Sequence, residues 1–117
     1  MRDGGAIVNM GSIAAIQGFF GQANYAAAKG GVLAMTRVLS RESARRNIRV
    51  NAIAPGVIST AMAATIPDTV RAEMMKNIPL NRFGDTSEIA SVALFLCSPL
   101  ASYVTGQTLE VNGGWRG

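Results

Sequence analysis

The sequence predicts an α/β fold in which three parallel strands alternate with helices. Three observations support this prediction. Short apolar runs bounded by glycine or proline are typical of buried parallel strands. A long segment with helical spacing separates the first two runs, and a helix-start cluster followed by an apolar stretch separates the second run from the third. A chain of 117 residues is long enough for one domain at most, so residues 1–117 are treated as a single unit.

The first predicted elements are a strand and a long helix. Ala6–Met10 is an apolar run that follows two glycines and ends at Gly11, as expected of a buried strand. Helical spacing then extends from Gln22 to Arg45, and Asn47 is expected to end that helix. The main apolar stripe of this helix consists of Tyr25, Ala28, Val32, Met35 and Leu39.

The middle of the chain predicts a second strand and a variable segment. Ile48–Ile53 is expected to be the strand, because Pro55 and Gly56 close it with a turn signal. Residues 59–83 have no long periodic pattern. We expect one or two short helices there, including one over residues 68–76.

The last predicted elements are a helix and a third strand. Asp85–Glu88 is a helix-start cluster before the apolar run 89–97, and Thr86 is expected to be the N-cap. Ser98 and Pro99 end that helix. Residues 107–111 are predicted to be the third strand, followed by an Asn-Gly-Gly turn.

Cysteine and histidine usage excludes several kinds of chemistry. Cys97 is the only cysteine and the chain has no histidine. An intrachain disulfide, a multi-cysteine metal site and a Ser-His-Asp triad are therefore excluded, and no metal is expected. No run of 18 apolar residues is present, so a transmembrane helix is not expected. A soluble protein of the cytoplasm is the simplest interpretation.

The net charge of +4 comes partly from a basic helix stripe. Arg37, Arg41 and Arg45 recur at every fourth position, which places them on one face of the long helix. A solvated face is the usual meaning of such a stripe. The alternative is an anionic partner, such as a nucleotide phosphate, coenzyme A or an acidic carrier protein. Nucleic acid is not expected, because no aromatic residues are interleaved with the arginines.

The residues suited to chemistry lie where strands end. Ligands of open parallel sheets collect outside the carboxyl ends of the strands, and Ser12 follows the first strand there. Tyr25 and Lys29 have i, i+4 spacing, so both lie on one face of the long helix. A phenol titrates near pH 10 in water, and a neighbouring ammonium stabilises its phenolate. Such a phenol exchanges a proton with a carbonyl or alcohol oxygen. Tyr-x-x-x-Lys alone is common by chance, so the prediction depends on the order of all these features.

Several segments together resemble one family. IVNMGS (7–12), GQANYAAAK (21–29) and RVNAIAPG (49–56) resemble the catalytic region of classical short-chain dehydrogenases/reductases. RFGD (82–85) and VNGG (111–114) are similar to the C-terminal signatures of the family. The resemblance covers essentially the whole chain. It is greatest to the 3-oxoacyl-[acyl-carrier-protein] reductases, although sugar, steroid and polyol dehydrogenases share nearly as much.

The resemblance implies an enzyme that interconverts a ketone and a secondary alcohol with NADP or NAD. Ser12 would polarise the substrate carbonyl, Tyr25 would be the acid/base, and Lys29 would support the tyrosine and bind the nicotinamide ribose. The implied cofactor-binding residues are Tyr25, Lys29, Pro55, Gly56, Ile58 (through its backbone) and Thr60. A 3-oxoacyl thioester substrate, an acyl carrier protein as a possible partner docking near Arg46, and a homodimer or homotetramer are implied as well. No membrane partner is expected.

The chain also departs from the family. Relatives are longer, and their Gly-rich phosphate turn precedes the catalytic serine. The resemblance therefore implies the C-terminal half of a Rossmann-type doubly wound parallel sheet, with Met1 an internal methionine and the N-terminal dinucleotide-phosphate half absent. The isolated chain is expected to show little reductase activity. The alternative is a catalytically incompetent fragment that folds only by association with itself or a full-length relative.

Overall fold

The computed structural model describes residues 3–115 and contains three strands, four α-helices and three short 3₁₀ helices in that part of the chain. The strands are β1 (Ala6–Met10), β2 (Arg49–Pro55) and β3 (Thr108–Val111). The α-helices are α1 (Ala14–Gln17), α2 (Ala23–Ser43), α3 (Asp68–Lys76) and α4 (Thr86–Cys97). The 3₁₀ helices span Ala44–Arg46, Ala63–Thr65 and Pro99–Ala101. No helix in residues 3–115 is long and apolar enough to cross a membrane.

The sheet has the strand order β1-β2-β3, and both pairs are parallel. The first pair runs in register from Ala6 opposite Arg49 to Met10 opposite Ile53. The central strand β2 is the most buried, and its residues 50–54 are at most 1% exposed. Because all three strands point the same way, their carboxyl ends meet at one edge of the sheet. This α/β arrangement confirms the predicted fold class.

The element boundaries mostly agree with the sequence predictions. The first strand and the helix over residues 68–76 begin and end as predicted. Asn47 adopts the left-handed conformation (φ 54°) after the 3₁₀ turn that extends α2, which confirms its role as a stop. The second strand reaches Pro55 and the third begins at Thr108, each differing from the prediction by one or two residues. The short helix α1 was not predicted.

The predicted N-cap of α4 is wrong. Asp85, not Thr86, has the extended conformation of a cap (φ −97°, ψ 149°), and Thr86 is the first helical residue. The carboxylate of Asp85 accepts from the backbone of the third helical residue, while Glu88 Oε1 accepts from the Asp85 N–H at 2.9 Å. This reciprocal capping box pairs two otherwise unsatisfied backbone donors. A carboxylate is favoured there over a threonine hydroxyl because it also interacts with the helix dipole.

The buried face of α2 is not the predicted apolar stripe. Its buried side chains are Leu33, Thr36 and Ser40, whereas Tyr25 is 48% exposed and Met35 is 46% exposed. Thr36 is fully buried because it meets a polar group of the sheet: Asn9 Nδ2 donates to Thr36 Oγ1 at 3.0 Å. This contact joins the inward face of the helix to β1.

Candidate active site

An open cleft of about 720 Å³ lies at the carboxyl edge of the sheet. Ser12, Tyr25, Gly56 and Thr60 all line it, and we call it the Ser12–Tyr25 cleft. It collects the residues after β1, the first turn of α2 and the segment after β2. Its position and its volume are those of a typical ligand site in a parallel α/β sheet.

Ser12 is held where β1 ends. On one side of it, the Gly11 N–H donates to the Ile53 carbonyl at 2.7 Å, and on the other the Ile13 N–H donates to the Pro55 carbonyl at 3.2 Å. The Ser12 hydroxyl oxygen accepts from the Ala14 N–H at 3.1 Å. Within residues 3–115 the Ser12 O–H meets no acceptor. A hydroxyl that accepts one hydrogen bond keeps its own proton available, so Ser12 can donate to a ligand oxygen.

Tyr25 and Lys29 lie on consecutive turns of α2. The Lys29 ammonium donates to the Met10 carbonyl at 3.1 Å and is 5.9 Å from the centre of the Tyr25 ring. An ammonium has three donors, so this bond anchors the side chain without exhausting it. The Tyr25 ring is half exposed in the cleft, not sealed in the core. The structure thus brings Ser12 and Tyr25 to one cleft, with the Lys29 charge beside the phenol ring.

Gly11 determines how closely α2 approaches the end of β1. A Cβ atom at this position would lie 2.6 Å from Leu33 Cδ2, which is closer than atoms in real structures approach. Leu33 is a buried residue of α2. The same helix carries Tyr25 and Lys29 on its first turns. The absence of a side chain at Gly11 therefore lets the helix pack against the strand that positions Ser12.

The predicted cofactor-binding residues after β2 do not all line the same cleft. Gly56 donates to the Val111 carbonyl at 2.9 Å, and a Cβ there would lie 2.7 Å from Asn112 Cα. The side chain of Ile58 lines a second cleft, of about 610 Å³, with Arg82 and Gly84. Ile58 also forms an isolated parallel bridge with Gly84. The hydrogen bonds of this bridge are made by the residues on either side of Ile58: the Ser59 N–H donates to the Gly84 carbonyl, and the Gly84 N–H donates to the Val57 carbonyl.

The backbone of Ile58 is therefore the part of this residue that suits a ligand. In a parallel bridge the amide and carbonyl of the central residue point away from the partner strand, so those of Ile58 point away from Gly84. Thr60 closes the segment, and its Oγ1 accepts from the Ala63 N–H at 3.2 Å. Available donors on Lys29 and on the Ile58 backbone fit the ribose and carboxamide of a nicotinamide.

The cleft has an apolar wall that was not predicted from the sequence. Trp115 is 7% exposed and meets Phe19 edge to face, with ring centres 5.7 Å apart at 85°. Ile66 and Met74 line the same wall. The indole Nε1 is buried and has no hydrogen-bond partner within residues 3–115. The only sequence signal for Trp115 was its position directly after the Asn-Gly-Gly turn that follows β3.

Among residues 3–115, no ionisable side chain other than Tyr25 lines the Ser12–Tyr25 cleft. An ion pair lines the second cleft, where the Arg82 guanidinium contacts the Glu88 carboxylate at 2.7 and 2.9 Å. These bonds, with the N–H of Asp85, lower the pKa of Glu88 to about 2. No group of three metal-binding side chains occurs among the described residues. The first cleft is thus uncharged and the second is not.

Comparison with known proteins identifies relatives along the whole chain. A family described as Enoyl-(Acyl carrier protein) reductase matches residues 1–116. The chain is 54% identical over 110 residues to the 3-oxoacyl-[acyl-carrier-protein] reductase of Chlamydia pneumoniae, and 50% identical over 110 residues to that of Vibrio harveyi. These alignments cover 94% of this chain but only 44% and 45% of the two relatives. The chain therefore spans less than half the length of these curated relatives.

Solved structures show the same relationship in three dimensions. A structure titled short-chain dehydrogenase/reductase SDR:glucose/ribitol dehydrogenase, from Brucella melitensis, has a TM-score of 0.91 and 48% identity, covering 97% of this chain and 46% of that one. A 3-oxoacyl-[acyl-carrier protein] reductase from Brucella melitensis has a TM-score of 0.88 and 42% identity, covering 94% of this chain and 41% of that one. Sequence, fold and family match agree, and the chain belongs to the short-chain dehydrogenase/reductase family.

Proposed function

We propose that the chain carries the catalytic residues of an NAD(P)-dependent oxidoreductase that interconverts a 3-oxoacyl thioester and the corresponding 3-hydroxyacyl thioester. The observation that carries this proposal is the meeting of Ser12 and Tyr25 in one cleft, with the Lys29 ammonium 5.9 Å from the phenol ring. A proton donor, a carbonyl-polarising hydroxyl and a fixed positive charge are the groups that reduction of a ketone requires.

In the proposed reaction the substrate ketone oxygen accepts hydrogen bonds from the Ser12 and Tyr25 hydroxyls. A bound nicotinamide supplies the hydride to the carbonyl carbon. Tyr25 donates its proton to the oxygen as negative charge develops there, and the Lys29 ammonium stabilises the phenolate that remains. Ser12 holds the oxygen in line through both states. In the reverse direction Tyr25 removes the proton of the alcohol.

The proposed cofactor is NADP or NAD, held at its nicotinamide end by the residues after β2. Pro55 and Gly56 form one wall, and Lys29 and Tyr25 bind the ribose. The Ile58 backbone binds the carboxamide, with the Thr60 side chain beside it. The support for this assignment is the direction of the Ile58 amide and the position of Gly56 and Thr60 in the lining of the Ser12–Tyr25 cleft.

The lining of the cleft supports an acyl substrate over a sugar or polyol. A polyol needs a hydrogen-bonding partner for each hydroxyl, because a buried unpaired polar group destabilises the complex. The wall made by Phe19, Ile66, Met74 and Trp115 offers apolar contacts instead. An acyl chain suits that surface, and the curated relatives named above are 3-oxoacyl-[acyl-carrier-protein] reductases. An acyl carrier protein is accordingly the proposed partner.

The test is a chimera in which this chain replaces the matching segment of the Chlamydia pneumoniae reductase. We expect NADPH- or NADH-dependent reduction of acetoacetyl-coenzyme A, followed by absorbance at the nicotinamide band. Tyr25→Phe should lower the rate by about 10²- to 10⁴-fold, which is the usual contribution of a general acid. The matched control is Tyr103→Phe, because Tyr103 is the other tyrosine and is fully exposed.

Two outcomes would contradict the proposal: a chimera that folds but reduces no 3-oxoacyl thioester, or a Tyr25→Phe chimera that keeps its full rate. The isolated chain, assayed beside the chimera, is expected to be much slower. The physical reason is that none of its 117 residues forms a Gly-rich phosphate-binding turn. Equal rates for the two proteins would refute that expectation.

A further inference from the structure

The Ser12–Tyr25 cleft becomes more buried from its rim to its floor. At the rim, Met62 is 82% exposed and Tyr25 is 48% exposed, whereas Trp115 is 7% exposed. Ile13 and Ala14, which also line the cleft, are similarly buried at 3% and 2%. Trp115 is the largest of the buried lining residues, so its indole forms most of the floor.

The floor is held rigidly by the turn after β3. The Trp115 N–H donates to the Asn112 carbonyl at 3.2 Å, and the Gln17 side chain donates to the Trp115 carbonyl at 3.2 Å. Gly113 and Gly114 have positive φ angles of 64° and 90°. Because neither has a side chain, this turn can pack closely against Ile78 and Pro79. The Phe19 ring then supports the indole from the side at 5.7 Å. A floor anchored in this way resists displacement by a ligand.

We propose that the Trp115 indole, supported by Phe19, is the stop that limits the length of the acyl chain bound in the Ser12–Tyr25 cleft. The inference rests on the proposed function for the identity of the head group, a thioester whose ketone lies between Ser12 and Tyr25. Each methylene that enters the apolar wall leaves water and strengthens binding by about fourfold. The gain ends where the chain reaches the indole, since further methylenes must stay in water or displace a fixed ring.

The single tryptophan of the sequence makes the floor directly observable. The purified chain is titrated, without cofactor, with the N-acetylcysteamine thioesters of 3-oxobutanoic, 3-oxohexanoic, 3-oxooctanoic and 3-oxodecanoic acid, and Trp115 emission is recorded. We expect a saturable change in emission. The dissociation constant should fall about fourfold per methylene up to a limiting length and no further.

Phe19→Ala should move the limit to longer chains, because the indole loses its lateral support and space opens beside it. The first thioester beyond the limit of the unmodified chain should then bind about fifteenfold more tightly, which corresponds to roughly two added methylenes. Phe19→Leu, a smaller change, gives a second measurement if the alanine variant unfolds. The matched control is Phe20→Ala, since Phe20 is fully exposed, adjacent in sequence and not part of the lining.

The stop is refuted if no thioester changes the emission saturably, or if both Phe19 variants keep the original limit. The titration requires neither cofactor nor turnover, so it is independent of the reductase assay. A chimera that is inactive while the chain shows a length limit rejects the proposed function alone. A Tyr25-dependent reductase without a length limit rejects the stop alone.

Discussion

Asn51 connects the central strand to the turn that leads into β3, and its replacement is the most direct test of how the sheet edge is held. The side chain is 1% exposed and makes two hydrogen bonds. Its Nδ2 donates to the Val104 carbonyl at 2.9 Å, and its Oδ1 accepts from the Gln107 N–H at 3.0 Å. Through these bonds one buried amide determines where β3 begins.

The expected cost of Asn51→Ala follows from what each partner loses. The Gln107 N–H loses its partner altogether, which costs about 1–3 kcal/mol. The Val104 carbonyl still accepts from Arg49 at 3.2 Å, so its loss is nearer the net value of one hydrogen bond, about 0.5–1.5 kcal/mol. The sum is about 2–4 kcal/mol, a large share of the 5–15 kcal/mol that usually stabilises a domain.

Urea unfolding followed by circular dichroism measures this change. With slopes of about 1–3 kcal/mol per molar urea, the midpoint of Asn51→Ala should fall by roughly 0.7–4 M. Asn77→Ala is the matched control, because Asn77 is exposed. Its free energy of unfolding should change by less than about 0.5 kcal/mol. If Asn51→Ala unfolds at the same midpoint as the control, the amide does not hold the sheet edge and the reasoning is wrong.

Two further predictions concern a close backbone contact and an ion pair. Gly56→Ala should destabilise the chain by about 1–3 kcal/mol, because its Cβ would lie 2.7 Å from Asn112 Cα, whereas Gly30→Ala, with no atom within 4 Å, should be neutral or stabilising in the same urea assay. Lowering the pH from about 4.5 to about 2 should destabilise the chain in part through Glu88, whose pKa of about 2 in the folded state lies below its ordinary value of 4.5. Since the lowered pKa means that the folded state favours the carboxylate, this stabilisation is present above pH 4.5 and is lost as pH falls toward 2. Glu88→Gln, which cannot titrate beside Arg82, should show a weaker loss over that range, and an unchanged pH dependence would contradict the assignment.

The elements of the fold could largely be predicted because their signals are local. Ala6–Met10 is apolar and bounded by glycines, so hydrophobic burial and the turn residues indicate the same strand. Asn47 ends α2 because asparagine tolerates the left-handed conformation it adopts at φ 54°. The cap of α4 was mispredicted by one residue, since Asp85 and Thr86 are both capping residues and only the backbone shows which one is extended.

The inward face of α2 could not be predicted from its sequence. Tyr25 and Met35 belong to the predicted apolar stripe of this helix, yet each is about half exposed, and the buried side chains include Thr36 and Ser40. Thr36 can be buried because its hydroxyl accepts a hydrogen bond from Asn9, which lies on another element. A pattern within one helix contains no information about the polar group that it meets.

The sequence by itself determined the fold class, the order of the elements and the Ser12, Tyr25 and Lys29 hypothesis, because short segments carry those signals. The tertiary structure alone decided that Ser12 and Tyr25 line one cleft, that Ile58 lines another, and that Trp115 is a buried part of the lining of the first. Parallel pairing brings the ends of three strands to one edge, and so joins residues that are far apart in the chain. Such proximity depends on register, on the close approach at Gly11 and on the turn before Trp115, none of which has a local signature strong enough to read beforehand.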